Sequence, residues 1–467
     1  MGRLIVVSNR VATPTETKGS AGGLAVGVFG ALKDAGGVWF GWSGDVVSET
    51  VANAGPVLEQ EGSVTFATVG LTRKDYDQYY RGFSNATLWP VFHYRNDLAR
   101  YERDEYAGYR RVNAWLAHKL TRLIEPDDVI WVHDYHLIPF AEALRAEGVT
   151  NLIGFFLHIP FPAPQILLNI PPHEELVKSL CCYDLIGFQT RNDQVAFHDY
   201  LVRHARGEVT GTGESEGAVA SAFGRTLHTG VYRIGVFPDE IAEQAKRYES
   251  RQHVLDLKQS LEGRKLIMSV DRLDYSKGLV ERFRAFEQLL ERAPEWRGNV
   301  TLVQIAPPTR SDVDTYQQIR QELEGEAGRI NGRFSALDYT PIRYLNQRYD
   351  RWKLMSLFRE SQIGFVTPLH DGMNLVAKEY VAAQNPDDPG VLVLSIFAGA
   401  AAELSGALLV NPHDAIGMSE ALQEALAMPL AERKARYETN MTALRKNDLG
   451  VWRDSFLRDL RSLKREA

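Results

Sequence analysis

The sequence predicts a doubly wound α/β protein built from two domains. Three observations carry that prediction. The chain has 467 residues, too many for one ordinary core and suited to two domains of roughly 200 residues or more each. Short apolar runs recur along it, continuous rather than alternating, as in strands covered on both faces. Amphipathic stretches lie between those runs.

Taken in order, the runs at residues 4–7, 129–132, 153–157 and 185–188 are expected to be buried parallel strands. Residues 266–270, 302–305, 363–366 and 391–394 repeat the pattern in the second half. Helices are expected between them: Leu279, Phe283, Phe286 and Leu290 recur at helical spacing and form one apolar stripe. Residues 207–217, rich in Gly, Ser and Glu, lack periodicity and predict a surface loop. The domain boundary is placed at Phe237-Pro238, after the run 231–236. This gives an N-terminal domain of residues 1–237 and a C-terminal domain of residues 238–449. Trp452, Phe456 and Leu460 then follow at four-residue steps, a final helix over residues 450–467 with the N-terminal domain as its candidate surface.

Composition narrows the function. Net charge is −7, from 53 basic and 60 acidic residues. Nucleic acid and anionic membrane are therefore not expected partners, since both call for a basic excess. Any phosphate ligand must be held by a few placed cations. Cys181 and Cys182 are the only cysteines and are adjacent, which argues against a disulfide framework and a zinc site. No signal peptide precedes the first apolar run, and no stretch is long enough for a membrane helix. The cytoplasm is the expected location.

In open α/β sheets, ligands bind beyond the carboxyl ends of the strands. The first run is followed by Ser8-Asn9-Arg10, the second by His133-Asp134-Tyr135-His136, the third by His158-Ile159-Pro160. In the second half, Asp271-Arg272 and Lys277-Gly278 follow one run, Arg310 follows the next, and Thr367 and Asp371-Gly372-Met373-Asn374 follow the third. Any single case is equally well a strand ending in polar residues. Together they place cations, carboxylates and imidazoles around one inter-domain crevice. Arginine suits bidentate phosphate recognition and lysine acts as a point charge, so a ligand with more than one phosphate group is expected. Asp134 and Asp371 suit sugar hydroxyls, which donate to carboxylates.

Gly19-Ser20-Ala21-Gly22-Gly23 precedes an apolar stretch and suits close backbone approach to a ligand, or is a plain flexible loop. Asp371 and Glu379 lie eight positions apart: one end for a sugar and the other for a ribose, or a helix cap and a solvated glutamate. Tyr79-Tyr80, Trp89-Pro90 and His93-Tyr94 form an aromatic group that suits a pyranose face or core packing.

These blocks resemble the retaining trehalose-6-phosphate synthases. The resemblance runs through Val7-Ser8-Asn9-Arg10, Ser20-Ala21-Gly22-Gly23-Leu24, Phe40-Gly41-Trp42-Ser43-Gly44 and Leu88-Trp89-Pro90. It continues through His133-Asp134-Tyr135-His136-Leu137, His158-Ile159-Pro160-Phe161-Pro162, Arg272-Leu273-Asp274-Tyr275-Ser276-Lys277-Gly278-Leu279 and the segment from Asp371 to Glu379. It implies the GT-B architecture, two facing Rossmann-like domains with the active site in the crevice between them. It also implies an acceptor-binding N-terminal domain and a nucleotide-sugar-binding C-terminal one. The acceptor glucose 6-phosphate is then expected to meet Arg10 and Arg310 through its phosphate, and Tyr80, Trp89 and Asp134 through its ring. UDP-glucose, a substrate rather than a cofactor, is expected to meet Arg272, Lys277, Gly22 and Gly23 through its diphosphate. Its glucose is expected at His158, Asp371, Met373, Asn374, Leu375 and Val376, its ribose at Glu379 and its base near Tyr349.

By the same resemblance, Asp134, His158, Arg272 and Lys277 carry catalysis, no metal or other cofactor takes part, and the chain forms a dimer or tetramer. Retention is expected through front-face attack, with the leaving diphosphate oxygen taking the acceptor's proton. Three details depart from the family pattern: His370 stands where arginine is frequent, Gln165 where glutamate is common, and residues 13–18 vary. No fused phosphatase domain is expected, and Asp312-Val313-Asp314 is read as a helix start. Other readings are a sister activity on another acceptor, such as a glucosylglycerol-phosphate synthase or a pseudo-glycosyltransferase, and a non-catalytic sugar-phosphate sensor. A dehydrogenase is set aside, because no Gly-x-Gly-x-x-Gly follows the first strand.

Overall fold

The computed structural model describes residues 2–12, 29, 30, 32, 36–211, 217–309 and 314–463. The chain divides into two compact units, residues 1–234 with 450–467 and residues 235–449. The first division falls three residues before Phe237.

The first unit holds a ten-stranded sheet. Its strands are β1 (Leu4–Arg10), β2 (Gly37–Val47), β3 (Val57–Glu61), β4 (Val64–Thr72), β5 (Val129–His133), β6 (Ile153–Phe156), β7 (Leu185–Phe188), β8 (Glu208–Thr210), β9 (Ala218–Ala222) and β10 (Arg225–Val231). They are ordered β3-β4-β2-β1-β5-β6-β7-β10-β9-β8. The strands from β4 to β10 pair in parallel, and the margins turn antiparallel. β8 lies within residues 207–217, so part of that expected loop is an edge strand, paired with β9. From β1 the chain first fills one side of the sheet and then returns to β5 on the other. The switch point therefore lies between β1 and β5.

The helix Leu449–Ser462 belongs to this unit and closes one face of its sheet. Trp452, Phe456 and Leu460, its four-step stripe, are at most 2% exposed. Phe456 stacks on Trp131 of β5 at 5.0 Å, and Trp452 lies 5.0 Å from the same indole. Two glycines let it come this close. A Cβ on Gly154 of β6 would stand 2.8 Å from both Leu460 and Phe456, and one on Gly187 of β7 would stand 2.8 Å from Phe456.

The second unit holds a six-stranded parallel sheet. Its strands are β11 (Lys265–Val270), β12 (Val300–Ile305), β13 (Ile342–Leu345), β14 (Ile363–Val366), β15 (Val391–Ser395) and β16 (Leu408–Val410). Their order is β13-β12-β11-β14-β15-β16, so the switch point lies between β11 and β14. The stripe Leu279, Phe283, Phe286 and Leu290 lies on the helix Leu279–Arg292, and all four side chains are fully buried. A long helix spans Asp314–Phe334; Asp312 and Val313 of the expected helix start lie outside the described residues. All eight runs read from the sequence are parallel strands in these two sheets.

Candidate active site

At the first unit's switch point, β1 ends in Arg10, whose side chain is exposed. Ser8 fixes this end: it accepts from Trp39 Nε1 at 2.8 Å and donates to the Arg10 carbonyl at 2.8 Å. The Arg10 guanidinium lies over Gly44, where an added Cβ would stand 3.0 Å from Nε. Gly44 has φ +97°, a second reason for glycine at that position.

The segment Tyr76–Leu88 is wound as a π-helix, a rare conformation that gathers at functional sites. It presents Tyr80, half-buried, stacked on His136 at 5.7 Å and leaning on Trp42 at 5.4 Å. Tyr79 points inward and donates to Asn9 Oδ1 at 2.8 Å. Trp89, assigned to the acceptor ring by resemblance, is only 4% exposed and packs on His93 and Tyr135. Core packing, the other reading of this aromatic group, describes Trp89. Tyr80 and the more exposed Tyr94 keep surface outside the core.

Asp134 follows β5 with φ 76° and ψ 166°, a region essentially reserved for glycine. Its strained backbone is held by local hydrogen bonds. Asp134 N donates to Phe156 O at 2.9 Å, and its carboxylate accepts from His158 N at 3.2 Å. His158 follows β6, and its Nε2 lies 3.0 Å from Nδ1 of the fully buried His133. Desolvation by its close surroundings lowers the His158 pKa to about 3. Burial also pushes His133 well below the usual histidine range, helped by the neighbouring His158.

The second unit's switch point is more tightly knit. Arg272, after β11, is exposed. Lys277 is buried and donates from Nζ to Asp371 Oδ2 at 2.5 Å. Asn374 Nδ2 donates to the same oxygen at 3.0 Å. Asn374 also caps the helix Leu375–Ala383: with φ 70°, its side chain accepts from Ala377 N at 3.2 Å. Met373 is buried, while Leu375 and Val376 are half-buried in the first turn. The first N–H groups of that helix form the kind of terminus that attracts negative charge.

Gly278 lets the two loops meet. It has φ +65°, and a Cβ there would stand 2.2 Å from Thr367 O. Leu369 N donates to Ser276 O at 2.8 Å across the same seam. Glu379 sits on the helix Leu375–Ala383 and takes both Nε (3.0 Å) and Nη2 (2.8 Å) of Arg351 on one oxygen, Oε1. Tyr349 is half-buried in the loop leading to Arg351 and accepts from Gln347 Nε2 at 2.8 Å. Burial lowers the His370 pKa to about 4, and its ring stacks on Phe397.

Gly22, Gly23 and Arg310 lie outside the described residues. Among the described residues, no three His, Cys, Asp or Glu side chains come together as a metal site.

Sequence reasoning missed three supporting residues. Arg282 is fully buried beneath the Lys277 loop and donates to Asp271 (3.0 Å), Gln304 (2.8 Å), Thr367 (3.2 Å) and the Lys277 carbonyl (3.1 Å). Burial raises the Asp271 pKa and lowers that of Arg282, with their mutual attraction opposing both shifts. Its signal was a charge within the apolar stripe, three residues after Leu279. His133 stood in a quoted motif without a role. Arg351 had no local signal.

The family model for glycosyltransferase family 20 matches residues 3–462. The chain belongs to glycosyltransferase family 20. This family-20 chain is 55% identical over 462 residues to a trehalose-6-phosphate synthase from Enterobacter sp. (strain 638), covering 99% of this chain and 95% of that one. It is 62% identical to an alpha,alpha-trehalose-phosphate synthase (UDP-forming) from Burkholderia xenovorans, solved in complex with glucose-6-phosphate. That match has a TM-score of 0.94 and covers 99% of this chain and 100% of the other. An E. coli structure, trehalose-6-phosphate bound with UDP-2-fluoro glucose, is 51% identical to this family-20 chain. Its TM-score is 0.93, with coverage of 99% and 100%.

Proposed function

We propose that this chain moves glucose from UDP-glucose to glucose 6-phosphate with retention, giving α,α-trehalose 6-phosphate and UDP. The observation that carries the reading is the end-to-end likeness, at 62% identity, to a UDP-forming synthase solved with glucose-6-phosphate. The E. coli relative bound with UDP-2-fluoro glucose supports the donor.

The residues divide by substrate. For the acceptor, Arg10 takes the phosphate with Arg310, Tyr80 offers its face to the sugar, and Asp134 accepts from ring hydroxyls. Trp89 acts there from beneath, as packing. For the donor, Arg272, Lys277 and the Gly22-Gly23 backbone meet the diphosphate. An ammonium has three N–H groups, so pairing with Asp371 leaves Lys277 two for phosphate oxygens. His158, Asp371 and residues 373–376 surround the transferred glucose. Glu379 keeps Oε2 for the ribose hydroxyls, and Tyr349 lies toward the base.

Lys277 and Asn374 both donate to Asp371 Oδ2, which lowers the nucleophilicity of that oxygen. Double displacement would need a free carboxylate and a second one roughly 5 Å away. Front-face attack needs neither. The acceptor O1 bonds to the anomeric carbon as the bond to the diphosphate oxygen breaks, and that oxygen takes the O1 proton. The protein orients two sugars and stabilises developing charge on the diphosphate.

The reading also takes the chain as cytoplasmic, as a dimer or tetramer, and as independent of metal and other cofactors. No helix among the described residues is long and apolar enough to cross a membrane. An NMR-monitored reaction with UDP-glucose and glucose 6-phosphate in EDTA tests activity and metal independence together. An α,α-linked phosphorylated disaccharide and free UDP are expected. No product with these substrates, but product with glycerol 3-phosphate, would replace the acceptor. Light scattering after size exclusion reads the assembly.

A further inference from the structure

His133 and His158 are joined through one specific pair of ring nitrogens, His133 Nδ1 and His158 Nε2, 3.0 Å apart. A hydrogen bond between two neutral imidazoles needs a proton on one nitrogen and a lone pair on the other. Both rings are neutral near pH 7, since their surroundings push both pKa values down. Two arrangements are therefore available. Either His133 donates from Nδ1, leaving its own Nε2 bare, or His158 donates from Nε2, which puts the His133 proton on Nε2.

The surroundings of His133 decide between them. The ring is fully buried and lies among Trp131 at 4.4 Å, Trp452 at 6.3 Å and Phe156 at 6.5 Å. Its Nε2 has no hydrogen-bond partner among the described residues. The polar atoms of the flanking indoles, Trp131 Nε1 and Trp452 Nε1, are likewise without partners there, and an indole nitrogen is only ever a donor. Among the described residues nothing therefore accepts from Nε2, and a proton placed there would stay unpaired. Among buried backbone groups an orphaned N–H is rarer than an under-satisfied acceptor, and the same preference is applied here to the ring nitrogen. The proton belongs on His133 Nδ1.

We propose that His133 is a positioning residue that holds His158 as its Nδ1–H tautomer, so that His158 meets the donor sugar as a hydrogen-bond donor. The sugar contact rests on the function proposed above; the tautomer does not. Asp134 contributes by accepting from the His158 backbone N–H, which fixes the residue while His133 fixes the ring. The role suits recognition of a hydroxyl oxygen. It also removes His158 from any part as general base. Its Nε2 lone pair is taken by His133, and its Nδ1 already carries a proton. The acceptor's proton must then leave by another route, in keeping with transfer to the departing diphosphate oxygen.

The test is a two-bond proton–nitrogen correlation spectrum of histidine-labelled protein at neutral pH, assigned with His133→Asn and His158→Gln. The expected pattern is a protonated Nδ1 and a bare Nε2 on both residues. A protonated Nε2 on His158 overturns the proposal, whatever the enzyme's substrates prove to be. Kinetics supply the second arm. An asparagine amide can place an N–H near the position of the imidazole Nδ1, so His133→Asn should keep kcat within a few-fold. His133→Leu removes the donor and should lower kcat about tenfold with the KM for glucose 6-phosphate unchanged. Equal kcat losses in the two variants would reduce His133 to packing and also overturn the proposal. If His133→Leu does not fold, the spectrum of the unaltered protein decides. Absence of trehalose product from the unaltered protein would count against the proposed function and leave the spectrum as the judge of the tautomer.

Discussion

Lys277 Nζ and Asp371 Oδ2 form a 2.5 Å ion pair at the second unit's switch point, linking the loop after β11 to the loop after β14. Both side chains are largely buried, so removing one strands the other. Lys277→Ala should lower stability by about 3 kcal/mol, the low end for a broken buried pair. It should also cut turnover about tenfold to a thousandfold, the scale of one lost charge-stabilising group. Urea unfolding and steady-state kinetics check the two effects. Near-native turnover would remove Lys277 from the donor site.

Arg351 and Glu379 make the second prediction. Arg351 Nε and Nη2 both fall on Oε1, which orients the carboxylate for the ribose contact proposed above. Arg351→Ala should raise the KM for UDP-glucose about tenfold, equivalent to ~1.4 kcal/mol, with the KM for glucose 6-phosphate unchanged. Equal effects on both substrates would argue for general disruption.

Asp134 stores backbone strain at the position where its carboxylate is proposed to accept from the acceptor sugar. Glycine relieves the backbone but removes the acceptor group. Asp134→Gly should therefore gain about 1 kcal/mol in stability, the low end of what such a conformation costs, while activity falls at least about a hundredfold. A thermal melt paired with a rate measurement tests this. Loss of both stability and activity would show that the carboxylate's contact with His158 outweighs the strain.

The helix Leu449–Ser462 is a structural part of the first unit. Phe456→Ala should cost about 3–5 kcal/mol, as for other large buried aromatics. Gly154→Val should cost about 1–3 kcal/mol by overpacking against Leu460 and Phe456. Denaturant midpoints read both.

The pH dependence of stability follows from His158. Its pKa is lowered in the folded state from 6.5 to about 3, so the unfolded chain binds its proton more readily. The stabilising contribution is complete above pH 6.5 and is lost as pH falls toward about 3. His158→Gln should flatten part of that acid limb. Urea midpoints between neutrality and about pH 4 measure it, and an unchanged slope would contradict the assignment.

The eight buried strands were legible because each is a local run of apolar residues. β2 was not: its sequence, GVWFGWSGDVV, interrupts the apolar run with glycines and charge. β3 was hidden because its residues are mostly exposed. At the candidate site, Arg10, Asp134, His158, Arg272 and Lys277 were visible as polar residues closing apolar runs. That property belongs to the chain, since a strand entering water must change composition. Family membership was legible in the same ordered blocks.

Partnership was decided elsewhere. His133 meets His158, Lys277 meets Asp371, and Arg351 meets Glu379 across gaps of 25, 94 and 28 positions. Such pairs depend on which strands lie side by side, and strand order follows from sheet topology rather than local pattern. The same holds for Arg282, visible in the sequence only as a charge on an apolar stripe, and for Trp89, which entered the core while Tyr80 kept surface. Local composition marks where a chain can bind. Only packing determines which of those groups face a ligand and which hold the others in place.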